Sequence, residues 1–548
     1  VTISSEHSAE LRAAARGLER RRFLTLSGAA ATLAFTVGLP GTASASAPAL
    51  APGKVTSDPF TLGVASGDPQ PSSVLLWTRL APEPLAADGG LPPARIPVAW
   101  EIASDERFRR IVRRGDDWAH PEFGHSLHVD VPGLAPGREY YYRFRVGSWV
   151  SPVGRTRTAP APGAPVRSMT FATVSCQRYD QGYYTAYRHL AQEDVDAVFH
   201  TGDYLYEYAV NSAGGTRAYT DRVLPDAVNH ETVTLEDYRV RYGLYKSDPD
   251  LIAAHAAHPF VVTWDDHEVE NNYAGGIPEN SVPPEEFLLR RAAAYRAYWE
   301  NMPLRRPQFP QGPDMSLYRR FGWGRLAQFD VLDTRQYRTN QAGGDGWKPP
   351  SAESEAESMT LPGLDQERWL IDGWARSNAQ WNIASQQVVF SRRASADGSA
   401  NLSMDSWDGY PASRRRITEG WKRGLPRQGR SGKELMVLTG DVHVAYGFDI
   451  HDDPADPASE ILGTEVVATS ITSGGNGSAQ PANWAGYHER NPHLKFYNGL
   501  RGYVLVTLGA TAAEIDWKTV SHVSTPGGTL VTAGSFVTQA GSPGLVAR

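Results

Sequence analysis

Residues 196–203 read Asp196-Ala197-Val198-Phe199-His200-Thr201-Gly202-Asp203, a short apolar run that stops abruptly in polar residues. Such a run, closed by a Gly-Asp turn, predicts a strand buried on both faces. Upstream, Ser168-Met169-Thr170-Phe171-Ala172-Thr173-Val174 has the same character and ends in Ser175-Cys176-Gln177, and the stretch from Tyr183 to Gln192 between them fits a helix. Strand, helix and strand in that order predict a βαβ unit with parallel strands. Ligands of such sheets gather at the carboxyl ends of the strands.

Working outward, further strands are expected at His258 to Trp264, Gly324 to Leu332, Asn382 to Phe390, Leu435 to Thr439 and Glu465 to Ile471. Helices fit Glu285 to Glu300 and Leu364 to Ser377, and the Gly/Thr/Ser-rich tail beyond Thr519 reads as strand and loop. Before residue 159 the texture is different. Thr61 to Ala65, Ser73 to Thr78, Pro97 to Ile102, His128 to Val131 and Glu139 to Val146 are short strand-like runs separated by Gly, Pro and Asp. They predict a β-sandwich of immunoglobulin or fibronectin type over 57–158. The Pro-Gly-Leu-Ala-Pro-Gly turn before Tyr140 resembles a fibronectin-like final hairpin. Ala159-Pro160-Ala161-Pro162-Gly163-Ala164-Pro165 is a stiff linker and the expected boundary of a second domain over 166–548.

The 548 residues include 41% hydrophobic and 21% charged side chains, an ordinary globular balance that excludes a disordered chain. A net charge of −7 gives no basic footprint for a nucleic-acid-binding domain. The single Cys rules out an intramolecular disulfide. At the N-terminus, Arg20-Arg21-Arg22-Phe23-Leu24 precedes an apolar run from Leu26 to Leu39 and the small residues Ala43-Ser44-Ala45-Ser46-Ala47. This order reads as a secretory signal over 1–47, and the paired Arg before Phe-Leu as a twin-arginine one. The apolar run is shorter than the roughly 20 residues a membrane span needs. The expectation is a secreted, extracellular protein without a transmembrane anchor, exported folded by the twin-arginine machinery.

Four polar clusters each follow an apolar strand: Ser175-Cys176-Gln177, Gly202-Asp203-Tyr204-Leu205-Tyr206-Glu207, Trp264-Asp265-Asp266-His267-Glu268 and Gly440-Asp441-Val442-His443. Any one of them reads as a helix cap or a surface loop. Four in register with four strands, delivering Asp, His, Cys and Tyr to one edge, point to a metal site.

Gly202-Asp203-x-x-Tyr206 resembles the G-D-x-x-Y block of purple acid phosphatases in the calcineurin-like metallophosphoesterase superfamily. Gly440-Asp441-Val442-His443 takes the place of that superfamily's G-H-x-H block, and Trp264-Asp265-Asp266-His267-Glu268 that of its G-N-H-[DE] block. Together with Cys176, the run to Asn272, Asp333-Thr334-Arg335-Gln336-Tyr337-Arg338 and Asn491-Pro492-His493-Leu494-Lys495-Phe496, the set closely resembles the PhoD family of secreted alkaline phosphatases and phosphodiesterases. The resemblance extends over essentially the whole chain after the signal segment, including the β-sandwich, and to the twin-arginine signal itself. It implies a four-layer αββα metallophosphoesterase domain, with ferric iron, Fe(3+), and calcium, Ca(2+), as metals and a phosphate ester as substrate.

Carried over by position, Cys176, Asp203, Tyr206 and His443 would hold the iron. Asp203 would bridge to a second metal shared with Asp441 and with Asp265 or Asp266. The superfamily's ligand directly precedes the His, which favours Asp266, while Asp265 is the alternative. Carboxylates in place of His and Asn suit calcium better than zinc. A metal-activated hydroxide would attack phosphorus. His267 is the candidate to protonate the leaving alkoxide, and Arg335 is a candidate phosphate clamp, with a supporting salt bridge as its plainer role. His189, His200 and His230 read as structural or surface groups, and the acidic run from Ser351 to Ser358 as a solvated loop.

The expected activity is hydrolysis of phosphomonoesters, with phosphodiesters also accepted. A phospholipase D-like phosphodiesterase acting on choline phospholipids is the alternative on the same scaffold. A cell-envelope binding protein with a structural metal site is the alternative outside enzymes.

Overall fold

The computed structural model describes residues 47–51, 54–210, 217, 224–425, 433–481 and 483–548. The expected twin-arginine segment, 1–47, lies outside the described residues except for Ala47.

Alternation along the strands decides the layering. In Ser168–Val174, Ala197–His200 and Pro259–Val262, the side chains of Phe171, Phe199 and Val261 enter one core, whereas Val174, Val198 and Phe260 enter another. Both faces are therefore buried, as parallel strands require. These three strands pair in parallel, with Val174 opposite His200 and His200 opposite Val262. They form the centre of a ten-stranded mixed sheet. On one side it continues through Gly502–Gly509, Ala512–Val520, Leu530–Gln539 and Ser542–Ala547, so the tail completes the sheet edge.

A second, eight-stranded sheet contains Ala327–Val331, Trp381–Ser385, Glu434–Thr439 and Ile461–Val467 as successive parallel strands. Its Phe329, Ile383, Met436 and Leu438 meet Phe171, Phe199 and Val261 of the first sheet in a shared core. The outer face of the first sheet packs on helices that include Leu235–Lys246 and Pro284–Asn301. The outer face of the second packs on Leu364–Arg376 and Pro411–Arg423 through Leu370, Trp374, Ile417 and Trp421.

The first sheet does not stop at the linker. Val64–Gly67 pairs in parallel with Pro259–Val262, with Ser66 opposite Pro259 and Gly67 opposite Phe260, and Ser73–Arg79 and Ser126–Pro132 follow it. Space at this seam is tight. A Cβ on Gly67 would lie 2.4 Å from the Pro303 carbonyl oxygen and 2.7 Å from that of Phe260. The faces of these strands cover Ile96–Ala103 and Glu139–Val146 of a smaller sheet through Val74, Leu76, Val129, Ile102, Tyr142 and Phe144.

Several elements differ from their sequence expectation. The strand expected over Asn382 to Phe390 ends at Ser385, because the Phe390 and Ser391 amides leave the sheet to donate to the Glu465 carboxylate at 2.7 and 2.8 Å. The strand expected over Glu465 to Ile471 lies earlier, at Ile461–Val467. Helices Leu235–Lys246, Pro249–Ala257 and Pro411–Arg423 and the strand Ile111–Ala119 were not read from the sequence.

Candidate metal centre

The carboxyl ends of strands from both sheets meet at one place. Cys176 N–H donates to the Gly202 carbonyl (3.1 Å) and Gln177 N–H to that of Asp203 (3.0 Å), which locks the first two loops together. A bridge between Ser175 and Ser470 and a hydrogen bond from Gln387 Nε2 to Thr263 Oγ1 (2.9 Å) tie the second sheet to the first. Glu268 fastens the remaining loops, since its carboxylate accepts from the amides of Asp203, Tyr204 and Asp265.

The turns are sharp. Cys176, Asp203, Asp441 and His443 all adopt left-handed backbone, with φ of 58, 57, 65 and 58°. A non-glycine residue in that region costs energy and persists only where its surroundings enforce it. Gly202 (φ 110°) passes so close to the next loop that a Cβ would lie 2.5 Å from the Asp265 backbone nitrogen.

Three overlapping groups of donor atoms result, each within 4.8 Å mutual distance: Cys176, Asp203 and His443; Asp203, Asp266 and His267; Asp265, Asp266 and Asp441. Tyr206 joins the first group, its hydroxyl donating to Asp203 Oδ2 at 2.8 Å and lying 2.9 Å from His443 Nε2. All the ligand candidates read from the sequence thus converge. Asp265 and Asp266 both face the cluster. Asp265 gives one oxygen to Arg335 Nε, Asp266 gives one to the Asn272 amide (2.7 Å), and each keeps its other oxygen buried without a hydrogen-bond partner. Asp203 Oδ1 is likewise buried and unpartnered.

Electrostatics make the same point. Burial pushes Asp203 and Asp441 well above the usual carboxylate range, with His267 opposing the shift at Asp203 and neighbouring carboxylates adding to it at both; Asp265 is also raised by burial, although Arg335 opposes the shift. Burial and nearby carboxylates raise the Cys176 thiol and the Tyr206 phenol. A cluster so costly to ionise fits cations, which invert the penalty by charge compensation. The chemistry of the donors divides the site. Sulfur, phenol, imidazole and one carboxylate suit a transition metal, and the carboxylate-only group suits a hard oxygen-seeking ion.

Around these donors stand His267 and Arg335, both expected from the sequence, and partners of theirs that were not. Glu207 accepts from His267 Nδ1 at 2.7 Å, leaving Nε2 toward the cluster. Burial would depress the His267 pKa, but Glu207, Asp266 and Asp203 outweigh it and hold the imidazole well above its usual value. Arg335 is fully buried, with Nη1 on Asp405 (2.8 Å) and Nη2 3.7 and 3.8 Å from Asp266 and Asp441. Asp405 also takes Gln341 Nε2 at 2.9 Å and Arg338 Nη1. Ser473 donates to Tyr206 at 2.8 Å. Glu207 and Glu268 lie within sequence clusters already noticed, whereas nothing in the sequence marks Asp405 or Ser473. The three histidines set apart as structural or surface groups lie elsewhere: His200 is buried beside Gln177, His189 bonds the Gly528 carbonyl, and His230 pairs with Asp237.

Comparison with known proteins gives matching results. The profile of the PhoD-like phosphatase family matches residues 171–517, and that of the PhoD-like phosphatase N-terminal domain matches 44–160. Alkaline phosphatase D of Bacillus subtilis (strain 168) is 49% identical over 532 residues, covering 96% of this chain and 88% of the relative. The solved structure titled "Structure of PhoD" superposes with a TM-score of 0.85 at 51% identity, covering 90% of this chain and 92% of that one.

Proposed function

The chain belongs to the PhoD-like phosphatase family and is a hydrolase of that type, and from that premise we propose that it is a secreted, metal-dependent phosphoesterase acting on phosphomonoesters and also on phosphodiesters. Identity along nearly the whole chain sets aside the reading as a binding protein. The observation that carries the proposal is the continuous run of donors through Asp203 and Asp266, with buried carboxylate oxygens that have no hydrogen-bond partner.

We assign Cys176, Asp203, Tyr206 and His443 to iron, and Asp203, Asp265, Asp266 and Asp441 to calcium. Bound there, the two kinds of cation would neutralise phosphate oxygens and acidify a water as nucleophile. The chain's own part is positional. Arg335 fixes Asp265 from behind, with Asp405 as its second anchor. Glu207 fixes the His267 ring so that Nε2 can give its proton to the leaving alkoxide oxygen. The packing of two facing sheets between outer helices supports an αββα reading of the catalytic part, with 57–158 as the preceding sandwich and 166–548 as the catalytic domain. Among the described residues no helix is long and apolar enough to cross a membrane. Export by the twin-arginine route over 1–47 belongs to the same proposal, on the strength of the sequence signal.

The test is elemental analysis of protein purified from its export route, paired with assays of a phosphomonoester, a phosphodiester and phosphatidylcholine. Iron and calcium with monoester and diester turnover are expected. A protein lacking both metals, or one that prefers the lipid by a wide margin, would overturn the assignment.

A further inference from the structure

Where the chain crosses between the two sheets, one arginine gathers the loops at the sulfur end of the metal centre. Leu494–Leu500 pairs with Ala445–His451 in the eight-stranded sheet, and Gly502–Gly509 pairs with Ser168–Val174 in the ten-stranded one. Arg501 is the single residue between them, and only 4% of it is exposed. Its Nε donates to the Gly475 carbonyl at 2.7 Å, and Nη1 donates to Ser470 Oγ at 2.7 Å and to the His443 carbonyl. Nη2 reaches the Gly474 carbonyl at 3.5 Å. Glycines leave room for the guanidinium: a Cβ on Gly477 would lie 2.6 Å from Nη2, and one on Gly474 3.0 Å.

These contacts lead to two of the iron-ligand candidates. His443 is held directly, through the carbonyl of a residue in left-handed backbone with φ of 58°. Cys176 is held through the loop 470–475. Ser470 bridges to Ser175, and the Cys176 carbonyl accepts from the amides of Thr472 (3.4 Å) and Ser473 (3.3 Å) and from Ser473 Oγ (2.8 Å). Arg501 thus couples a donor that follows a strand of one sheet to a donor that follows a strand of the other. Its hydrogen-bond partners are all uncharged. Burial lowers its pKa to about 10, and Cys176, Tyr206 and Tyr497 oppose that shift.

We propose that Arg501 is a positioning residue for the iron. Its forked donors fix His443 and the Cys176 loop relative to each other, and its charge balances the thiolate and phenolate that bind the metal. Outer partners of this kind orient metal ligands and tune the metal they hold. A guanidinium does so with directed bonds from one rigid plane, which an ammonium does not reproduce. The carboxylate side of the centre, Asp265, Asp266 and Asp441, has Arg335 as its own buried cation, so separate arginines serve the two ends. The inference rests on the assignment of iron to Cys176, Asp203, Tyr206 and His443.

The experiment loads the intact protein with ferric iron and calcium. It follows iron release to a trihydroxamate chelator, together with the visible absorption of thiolate and phenolate on ferric iron. In Arg501→Met, iron should leave about 10–100-fold faster, the usual cost of losing an outer partner, while calcium content is unchanged. The absorption band should move to longer wavelength, because a positive charge beside the donors lowers the energy of their electrons. Arg501→Lys keeps the charge without the fork, so its band should stay near that of the unaltered protein and its release rate should lie between the two. Ser470→Ala removes one partner of the guanidinium and no charge. It should speed release by about 5-fold, the scale of one hydrogen bond, with the band in place. Should Arg501→Met fail to fold, Arg501→Lys and Ser470→Ala decide, and an unchanged release rate in both overturns the proposal. Arg501→Met with either readout unaltered, or losing iron and calcium in equal proportion as a merely structural residue would, also overturns it. So does a band in Arg501→Lys displaced as far as in Arg501→Met. Unaltered protein that takes up calcium but no iron would instead defeat the iron assignment.

Discussion

The Tyr206 hydroxyl lies 2.8 Å from Oδ2 of Asp203, a residue three positions earlier in the same loop. Without cations, burial and then the Asp203 carboxylate keep the phenol protonated, and this hydrogen bond adds to them. A cation accepted by both oxygens must displace that proton.

Tyr206→Phe removes one donor while keeping the ring against His267, whose centroid is 4.1 Å away. The expected result is loss of bound iron with calcium largely retained and little change in thermal stability of the metal-free protein. Elemental analysis after gel filtration checks it. Retention of a full equivalent of iron would remove Tyr206 from the ligand set.

Asp203 belongs to two of the three donor groups, so Asp203→Asn should weaken both metals at once. Phosphatase activity is expected to fall on the order of 10³-fold, as when a main electrostatic element of an active site is lost. Circular dichroism should be unchanged. Full activity in a folded variant would refute the metal-dependent reading, and chelating calcium from the unaltered protein should suppress turnover while iron stays bound.

Arg335 stands between Asp265 and Asp405, both buried. Arg335→Met leaves Asp265 uncompensated and Asp405 with Arg338 as its remaining cation, a loss of about 3–5 kcal/mol when one partner of a buried pair is removed. Urea denaturation of the metal-free protein measures it. Added calcium should recover part of the loss, because it compensates Asp265 from the other side.

Gly202→Ala tests crowding alone. The new Cβ would press on Asp265 in a backbone conformation with φ of 110°, separating two metal-binding loops without altering any charge. Activity should drop by about 100-fold, the sensitivity of catalysis to displacements of roughly 1 Å. Unaltered kinetics would show that the loops tolerate separation.

Lys246 gives a pH signature away from the metals. It is buried beneath Trp77, 4.1 Å from the ring centre, and donates to Tyr204 at 3.3 Å. Burial, with help from Arg79, lowers its pKa to about 7 from 10.5. Because the unfolded chain binds the proton more tightly, stability from this group is present above pH 10.5 and is lost as pH falls through the window down to 7. Lys246→Met should flatten the dependence of Tm on pH across that window and raise Tm at its lower end. A slope unchanged by the substitution would mean that Lys246 is solvated or paired.

The legibility of this protein followed its periodicity. Phe171, Phe199 and Val261 were readable as strand cores because each flanks a polar loop, and the loops carried the donors in short, continuous motifs. The helix Leu235–Lys246 was not readable, since Val240 to Lys246 are buried on every side and include Arg241 and Lys246, so no apolar stripe stands out against a polar face. The strand Ile111–Ala119 is charged and largely exposed, and lacks the alternation that marks a half-buried strand. Asp405 escaped notice for another reason. Its role exists through partners far along the chain, Arg335 at 70 residues among them, and sequence carries no trace of that distance.

The parallel pairing of Val64–Gly67 with Pro259–Val262 bears on how this chain can be recombined. A chimera with its crossover in the Pro/Ala segment 159–165 would place a foreign seam inside its longest sheet, against the strand that leads into Asp265 and Asp266. The N-terminal segment is better regarded as a splint laid along that strand than as a removable attachment. Grafts between relatives should preserve activity only when the 64–79 and 259–262 strands travel together.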